Sequence, residues 1–167
     1  MVDMVRKNRF LEQIEQNQDI VHKICGIYAV TRDDRKDLSQ DIICQLWKSY
    51  QSFRGDSKFT TWMYKVALNT ALLNLRRHRH MARTESLKEH HTDIPAEAAG
   101  KEKHWQISRL YEAISQLDKL DRAIILLYLE QLSYKEISEV IGISESNVSV
   151  RLVRIKRKLK DLLSGGL

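Results

Sequence analysis

The chain has 167 residues, of which 43% are hydrophobic, and it carries a formal net charge of +6. This length suits one large or two small domains, and one Pro with six Gly favours long helices over loop-rich β folds. No run of about 18 apolar residues is present, and the charged amino-terminal segment has no apolar core. We therefore expect no membrane insertion, no secretory signal and a cytoplasmic location.

The first 50 residues are predicted to form helices separated by short polar breaks. Residues 8–30 form a helix with a break near Asn17, and residues 31–35 form a polar break before a helix over 36–50. The positions of this helix predicted to be buried are Leu38, Ile42, Leu46 and Trp47. Its outward positions are Asp37, Gln40, Asp41 and Gln45. Cys25 and Cys44 lie in apolar helical surroundings, which predicts buried free thiols.

A short loop centred on Gly55 leads into the longest predicted helix, over residues 58–80. Its apolar positions are Phe59, Trp62, Met63, Val66, Leu73 and Leu75. Its end is basic, with Arg76, Arg77, His78, Arg79 and His80. Bases suit the carboxy-terminal end of a helix dipole. That explains one or two of these residues but not the whole cluster, which favours contact with a polyanion.

Residues 81–104 lose helical periodicity and contain the lone Pro95, which predicts a linker between two small domains. A new helix begins near Ile107, and a second is predicted over residues 118–131. The chain is therefore predicted to be all-α, with helical domains over residues 1–80 and 105–167 joined by a flexible linker.

Residues 133–160 predict a helix-turn-helix. Ser133 with Glu136 forms a capping box, Gly142 suits the end of the first helix, and Ser144 caps the second. The second helix has one apolar stripe: Val148, Leu152, Ile155, Leu159 and Leu162. Six Lys or Arg and no acid lie between residues 148 and 160. A helical hairpin with a solvated basic face is the simpler alternative. Such a hairpin would not require the caps, the turn Gly, the apolar stripe and the acid-free basic segment to occur together, so the helix-turn-helix is favoured.

Enzymatic and metal-binding alternatives have weaker support. Asp33, Asp34, Asp37 and Asp41 could suggest a metal-dependent nuclease, but no His or Glu is spaced to complete such a site. His78, His80, His90 and His91 could suggest zinc, but no Cys accompanies them. No phosphate-cradling Gly loop or nucleophile motif is present. We therefore predict no catalytic activity, no cofactor and no metal.

Three stretches together resemble bacterial extracytoplasmic-function (ECF) sigma factors of the sigma-70 family. DLSQDIICQLWKSY resembles their polymerase-binding helix, and QSFRGDSKFTTWMYKVALNTALLNLRR resembles their promoter-melting segment. QLDKLDRAIILLYLEQLSYKEISEVIGISESNVSVRLVRIKRKLKDL resembles their promoter-reading domain. The resemblance covers nearly all of the chain except the linker, with matching order and spacing.

The resemblance implies a sigma factor that binds core RNA polymerase and promoter DNA. The clamp helices of the largest polymerase subunit would meet Asp37, Gln40, Asp41 and Gln45. The melted −10 element would be held by Phe53, Arg54, Lys58, Phe59, Trp62, Asn69, Arg76, Arg77 and Arg79. Trp62 taken alone is also compatible with a core position. The resemblance leaves open whether an anti-sigma factor controls the protein.

The second domain would read the −35 element with the helix from residue 145. The implied contacts are Ser146, Asn147, Ser149, Val150, Arg151, Arg154, Arg157 and Lys158. Many members of the family have a basic residue and then Ser where this chain has Ser149 and Val150, which affects the sequence preference. A helix-turn-helix regulator that does not bind polymerase is the alternative function. Such a regulator has no reason to carry the FRGDSKFTTWMYKVALN stretch.

Overall fold

The computed structural model describes the backbone of residues 2–82 and 101–165, and the side chains of residues 4–77 and 105–165. Over these ranges every regular element is a helix, which confirms the all-α prediction. The chain divides into two compact units, over residues 1–91 and 92–167. Most of the predicted linker, residues 83–100, lies outside the described residues. Its last four residues are helical, because α5 begins at Lys101.

The first unit begins with α1 (Val2–Gln16) and α2 (Gln18–Tyr28), separated at Asn17 as predicted. The first helix starts at residue 2 rather than 8. Phe10 and Ile14 of α1 and Ile24 of α2 are buried. Leu11, which the periodicity grouped with Phe10 and Ile14, is 47% exposed, because it points away from the other helices of its unit.

Helix α3 (Arg32–Tyr50) begins four residues earlier than predicted. The Thr31 Oγ1 accepts a hydrogen bond from the Asp34 N–H at 3.0 Å, and the Thr31 N–H donates to the Asp34 Oδ2 at 3.1 Å. This reciprocal pair is a capping box, so the polar residues predicted as a break form the first turn of the helix. Leu38, Ile42 and Leu46 are buried as predicted. Trp47 is only half-buried.

Helix α4 (Phe59–Ala82) packs against α2 and α3. Its buried residues are Thr61, Met63, Tyr64, Ala67, Leu68 and Ala71. Small Ala side chains allow the helices to approach closely, so the buried stripe runs through positions that hydrophobicity alone undervalues. Leu73 was predicted to be an apolar position of this stripe and is instead 53% exposed.

The second unit consists of α5 (Lys101–Ser115), α6 (Lys119–Leu129), α7 (Tyr134–Ile141) and α8 (Glu145–Ser164). The Ser133–Glu136 capping box is present, Gly142 ends α7 at φ 81°, and Ser144 caps α8. The helix-turn-helix is therefore confirmed. Val148, Leu152, Ile155 and Leu159 are buried as predicted, and Leu162 is half-buried.

No helix in the described parts of the chain is both long enough and apolar enough to cross a membrane.

Candidate nucleic-acid interface

The outward face of α3 carries the four predicted polymerase-binding residues. All four side chains are exposed: Asp37, Gln40, Asp41 and Gln45. Capping at Thr31 and burial of the opposite stripe fix this orientation. The Asp41 Oδ2 also accepts a hydrogen bond from the Asn74 Nδ2 at 3.1 Å. One carboxylate of the α3 face is thereby linked to α4.

Six aromatic rings meet where α1, α3, the loop and α4 converge. We call this the aromatic cluster: Phe10, Trp47, Tyr50, Phe53, Phe59 and Trp62. The Phe53 centroid lies 5.8 Å from that of Phe59 and 5.0 Å from that of Trp62. Such spacings are typical of stabilising aromatic pairs. The three predicted −10 aromatics, Phe53, Phe59 and Trp62, therefore pack against each other and are each half-buried.

Tyr50, which was not among the predicted site residues, connects the two sides of the aromatic cluster. Its ring centroid lies 5.1 Å from that of Phe10 and 6.3 Å from that of Trp62. Its hydroxyl donates to the Gln13 Oε1 at 3.0 Å, and its carbonyl accepts from the Arg6 Nη2 at 3.3 Å. The only signal in the sequence was an aromatic residue at the last position of the helix preceding the loop.

A polar stripe runs along α4 from the end of the loop. We call it the α4 stripe: Lys58, Trp62, Lys65, Asn69 and Arg76, spaced by four, three, four and seven residues. Except for Trp62, these side chains are exposed. Lys65 was not among the predicted site residues, although its spacing of three from Trp62 and four from Asn69 places it on the same face of the helix. Arg54 and Arg77 are also exposed, and the Arg79 side chain lies outside the described residues.

The recognition face of α8 is the side opposite its buried stripe. It consists of exposed residues: Ser146, Val150, Val153, Arg154 and Arg157. Asn147 and Lys158 are exposed beside it, and Ser149 is half-buried. Val153 was not predicted, although it is 59% exposed, the same as Val150. Two apolar side chains on an exposed face of this kind suit contact with thymine methyl groups.

Arg151 lies away from the recognition face and is bound within the unit. Its Nη1 donates to the Asp121 Oδ1 at 2.7 Å, with the two side chains 30% and 15% exposed. Asp118, the N-cap of α6, is close by. Partial burial raises its pKa, but hydrogen bonds with the Asp121 backbone and side chain, a bond from the Leu120 N–H and the Arg151 charge outweigh burial. The pKa of Asp118 is therefore lowered.

The described residues contain no group of three or more His, Cys, Asp or Glu side chains that could hold a metal ion. The His side chains considered for zinc lie outside the described side chains. Both cysteines are unpaired. Burial raises the pKa of the Cys25 thiol to about 11, which keeps it protonated and unreactive. Cys44 was predicted to be buried and is exposed, because it follows the buried Ile42 on the outward side of α3.

Comparison with protein families identifies both units. The family model of sigma-70 region 2 matches residues 13–81, and that of sigma-70 region 4 matches residues 107–159. The chain therefore belongs to the sigma-70 family of RNA polymerase sigma factors. Its relatives include several ECF sigma factors, so the chain is placed in the ECF group. The match over residues 13–81 removes the alternative of a helix-turn-helix regulator without polymerase binding.

Individual relatives agree with this assignment. The chain is 31% identical over 130 residues to RNA polymerase sigma factor YlaC of Bacillus subtilis, with 75% of each protein covered. It is 28% identical over 158 residues to ECF sigma factor SigE of Mycolicibacterium smegmatis, covering 92% of this chain and 61% of that protein. Bartonella quintana RpoE, solved with the anti-sigma factor NepR, has the same fold. The TM-score is 0.79 at 19% identity, covering 95% of this chain and 99% of that one.

The chain is thus an alternative sigma factor that directs RNA polymerase to specific promoters for transcription initiation.

Proposed function

We propose that the two units of the sigma factor have different functions and that their boundaries are those predicted from the sequence. Residues 1–80 bind core polymerase and melt the −10 element, residues 81–104 connect the units, and residues 105–167 read the −35 element. One observation carries this proposal. The first unit has an acidic and amide surface on α3 and a separate basic and aromatic surface on the loop and α4.

The outward face of α3 is proposed to bind the clamp helices of the largest polymerase subunit. Its two carboxylates and two amides suit a partner surface rich in Lys and Arg, because charged pairs across an interface fix its register. The same residues would not bind DNA, since acidic side chains repel phosphates.

The aromatic cluster and the α4 stripe are proposed to hold the melted −10 strand. Single-stranded DNA is bound by aromatic side chains that stack on bases and by cations that follow the phosphates. Phe53, Phe59 and Trp62 are half-buried, so part of each ring remains accessible. Lys58, Arg76 and Arg77, with the predicted Arg54 and Arg79, supply the cations, and Asn69 supplies an amide for a base edge.

The recognition face of α8 is proposed to lie in the major groove of the −35 element. The amino-terminal residues of a recognition helix contact base edges, and later ones contact phosphates. Ser146, Asn147, Ser149 and Val150 are the early contacts. Arg154 is the best-placed guanidinium for a base edge, and Arg157 and Lys158 are placed for phosphates. Arg151 remains a predicted contact, but its carboxylate partner must first be exchanged for DNA.

The polymerase interface can be tested with charge reversal on α3. Asp37→Lys with Asp41→Lys should weaken binding to core polymerase at moderate salt, measured by fluorescence anisotropy of labelled sigma factor. The matched control is Glu12→Lys with Glu15→Lys, an exposed acidic pair on α1 that changes net charge equally. Equal affinity losses in the two double variants would remove the α3 face from the interface.

We further propose that the protein is not an enzyme, uses no cofactor and acts in the cytoplasm, where its polymerase is found. Control by an anti-sigma factor is also proposed, supported by the complex in which the Bartonella relative was solved. Affinity capture from the native cell should recover, besides polymerase, a protein that blocks run-off transcription by the purified holoenzyme. Recovery of polymerase alone under both growth and stress conditions would contradict this control.

A further inference from the structure

Two exposed valines lie side by side on the recognition face of α8. Val150 and Val153 are each 59% exposed, whereas Val148 and Leu152 of the buried stripe are 0% and 1% exposed. Residues three apart on a helix are neighbours, with Cβ atoms about 5–6 Å apart, so the two exposed side chains form one apolar patch. The buried stripe already packs this helix, so the patch contributes little to the stability of the unit.

The chemistry of valine suits this patch to a contact rather than to the helix itself. Valine is a weaker helix former than Lys, Arg or Gln, which are the usual residues at exposed helical positions. Its branched side chain has one strongly preferred rotamer in a helix, so the methyl groups of Val150 and Val153 are held in fixed directions. A contact with them therefore loses little side-chain entropy. A rigid apolar patch on the face that is proposed to enter the major groove suits contact with another small apolar group.

Two cations of α8 close to the patch are held by α6 instead of lying beside the valines. The Arg151 Nη1 donates to the Asp121 Oδ1 at 2.7 Å. The Lys156 Nζ donates to the Tyr128 hydroxyl at 2.8 Å and lies 4.0 Å from the centroid of the Tyr128 ring. Both partners belong to α6, so these two cations point toward the packed side of α8. The outward side is left to the apolar patch and to the other residues of the recognition face.

The major groove of DNA displays one apolar group that such a patch can contact, the methyl group of thymine. A valine side chain has no hydrogen-bond donor or acceptor, so it gains nothing from the nitrogen and oxygen atoms that identify the other bases. Placing those atoms against valine, without a hydrogen-bonding partner, is unfavourable. The patch therefore favours thymine over the other three bases at the positions that it meets.

We infer that Val150 and Val153 make the −35 preference of this sigma factor depend on the methyl groups of two thymines. The two residues are about 4.5 Å apart along the helix axis, and successive base pairs are about 3.4 Å apart. The two thymines therefore lie in neighbouring or next-neighbouring base pairs, on either strand. Val150 stands where the chain departs from the usual pattern of its family, so methyl reading is assigned to this chain and not to the family. The inference rests on the proposed reading of the −35 element by α8 and names the chemical group that is read.

Removal of single methyl groups from the DNA tests the inference. Holoenzyme first selects its −35 element from promoter duplexes randomised over that region. Each selected thymine is then replaced by deoxyuridine, whose base differs from thymine only in lacking the methyl group. We expect two thymines whose replacement weakens binding by about fourfold each, the effect of no longer burying one methyl group. Deoxyuridine in the spacer should change nothing. A selected element without thymine, or one whose thymines are all replaced without loss, would overturn the inference.

Protein variants assign the methyl groups to the two valines. Val150→Ser and Val153→Ser remove the apolar side chains and leave the buried stripe intact. Each variant should cancel the deoxyuridine penalty at one of the two positions, and the double variant should cancel both. The matched control is Leu129→Ser, which removes a 46% exposed apolar side chain at the end of α6 and should keep both penalties. Penalties that persist in the double variant, or that vanish in the control, would overturn the assignment.

A second series of duplexes separates methyl contact from effects on the duplex itself. Cytosine at either of the two thymine positions should weaken binding. 5-Methylcytosine should recover about fourfold of that loss with the wild type, but not with the variant that lacks the facing valine. Equal recovery with both proteins would assign the effect to the duplex and overturn the inference. Holoenzyme that binds the selected −35 element no better than a scrambled one would instead show that the proposed −35 reading is wrong, and that result is seen before any base is replaced.

Discussion

The recognition face of α8 and the aromatic cluster of the first unit are built by the fold in two different ways. The recognition face comes from one helix, and its residues follow one another at spacings of three and four. The aromatic cluster comes from α1, the end of α3, the loop after it and α4, whose residues are far apart in the sequence. The first surface exists once a single helix is capped and packed, whereas the second exists only when the whole unit is folded.

This difference determines which mutations disturb the structure of each surface. The recognition face depends on the buried stripe behind it, through Val148, Leu152 and Ile155. The aromatic cluster is centred on Tyr50, whose ring, hydroxyl and carbonyl each contact a different partner. Loss of packing in the second unit should therefore abolish the proposed −35 reading, whereas changes around Tyr50 should alter the shape of the aromatic cluster that is proposed to hold the melted strand.

The largest expected effect is on the stability of the second unit. Leu152 is 1% exposed, so Leu152→Ala leaves a cavity in the packed core and should lower the free energy of unfolding by about 2–5 kcal/mol. The measurement is urea unfolding followed by circular dichroism. The matched control is Val153→Ala on the exposed side of the same helix, which should change stability by no more than about 0.5 kcal/mol. Similar losses in both variants would show that the two sides of α8 are not distinct.

The next largest effect concerns base discrimination on the recognition face. Arg154→Ala should reduce the preference of the holoenzyme for its −35 element over a scrambled one by about 1–3 kcal/mol. Lys158→Ala should weaken binding to both duplexes alike and reduce the salt slope by about one unit, because Lys158 is proposed to contact a phosphate. The measurement is binding to both duplexes at several salt concentrations. A larger loss of discrimination from Lys158→Ala would mean that α8 lies reversed in the groove.

Arg151→Ala sharpens this result. The family resemblance predicted Arg151 as well as Arg154 to contact the −35 element, but the ion pair with Asp121 leads us to expect lower stability with little change in preference. Asp121, which is 15% exposed beside Arg151, would lose its cation, and an unpaired carboxylate in a partly buried site is unfavourable. A loss of discrimination equal to that of Arg154→Ala would show that Arg151 leaves Asp121 for the DNA.

A smaller effect is expected at the centre of the aromatic cluster. Tyr50→Phe keeps the ring and removes the hydrogen bond to Gln13, so the free energy of unfolding should fall by about 0.5–1.5 kcal/mol. Open complexes should still form, because the rings around Phe53 keep their packing.

Phe53→Ala with Phe59→Ala should instead reduce permanganate reactivity at −10 thymines more than closed-complex binding. Normal reactivity in that double variant, with a normal circular dichroism spectrum, would remove the loop from melting.

The elements that could be predicted are those whose ends are determined by residues at those ends. Ser133, Gly142 and Ser144 each end or begin a helix through their own side chain or backbone preference, and all three are found in those roles. The start of α3 was missed because its capping box has Asp34, rather than the usual Glu or Gln, opposite Thr31. The sequence contained that signal, but in a weaker form.

Features that depend on contacts between helices could not be predicted from a single segment of the sequence. Nothing near Arg151 indicates that Asp121, from another helix, binds it. Leu73 fits the apolar period of α4, but the unit buries Ala67 and Ala71 instead and leaves Leu73 exposed. Phe10 of α1 lies against Trp47 and Tyr50 at the end of α3, and only the packing of the two helices determines this. Side-chain partners across helices depend on packing, which local preference does not encode.

The smallest expected effect lies at the N-cap of α6, beside the Asp121–Arg151 pair. Asp118 accepts hydrogen bonds from the Leu120 and Asp121 N–H groups at 3.0 and 2.9 Å, and Asn caps helices as well as Asp. Asp118→Asn should therefore keep the cap and lose only the charge, at a cost below about 1 kcal/mol near neutral pH.

The pH dependence of that cost follows from the direction of the Asp118 pKa shift. The pKa in the folded protein lies below the ordinary value of 3.8, so the charge stabilises the fold fully above that value. The stabilisation is lost as the pH falls through the lower, folded-state pKa. The difference in unfolding free energy between wild type and Asp118→Asn should thus be constant near neutral pH and shrink toward zero in strong acid. Urea unfolding of both proteins over that range measures it. A difference that does not change with pH would show that the hydrogen bonds alone, without the charge beside Arg151, hold this end of α6.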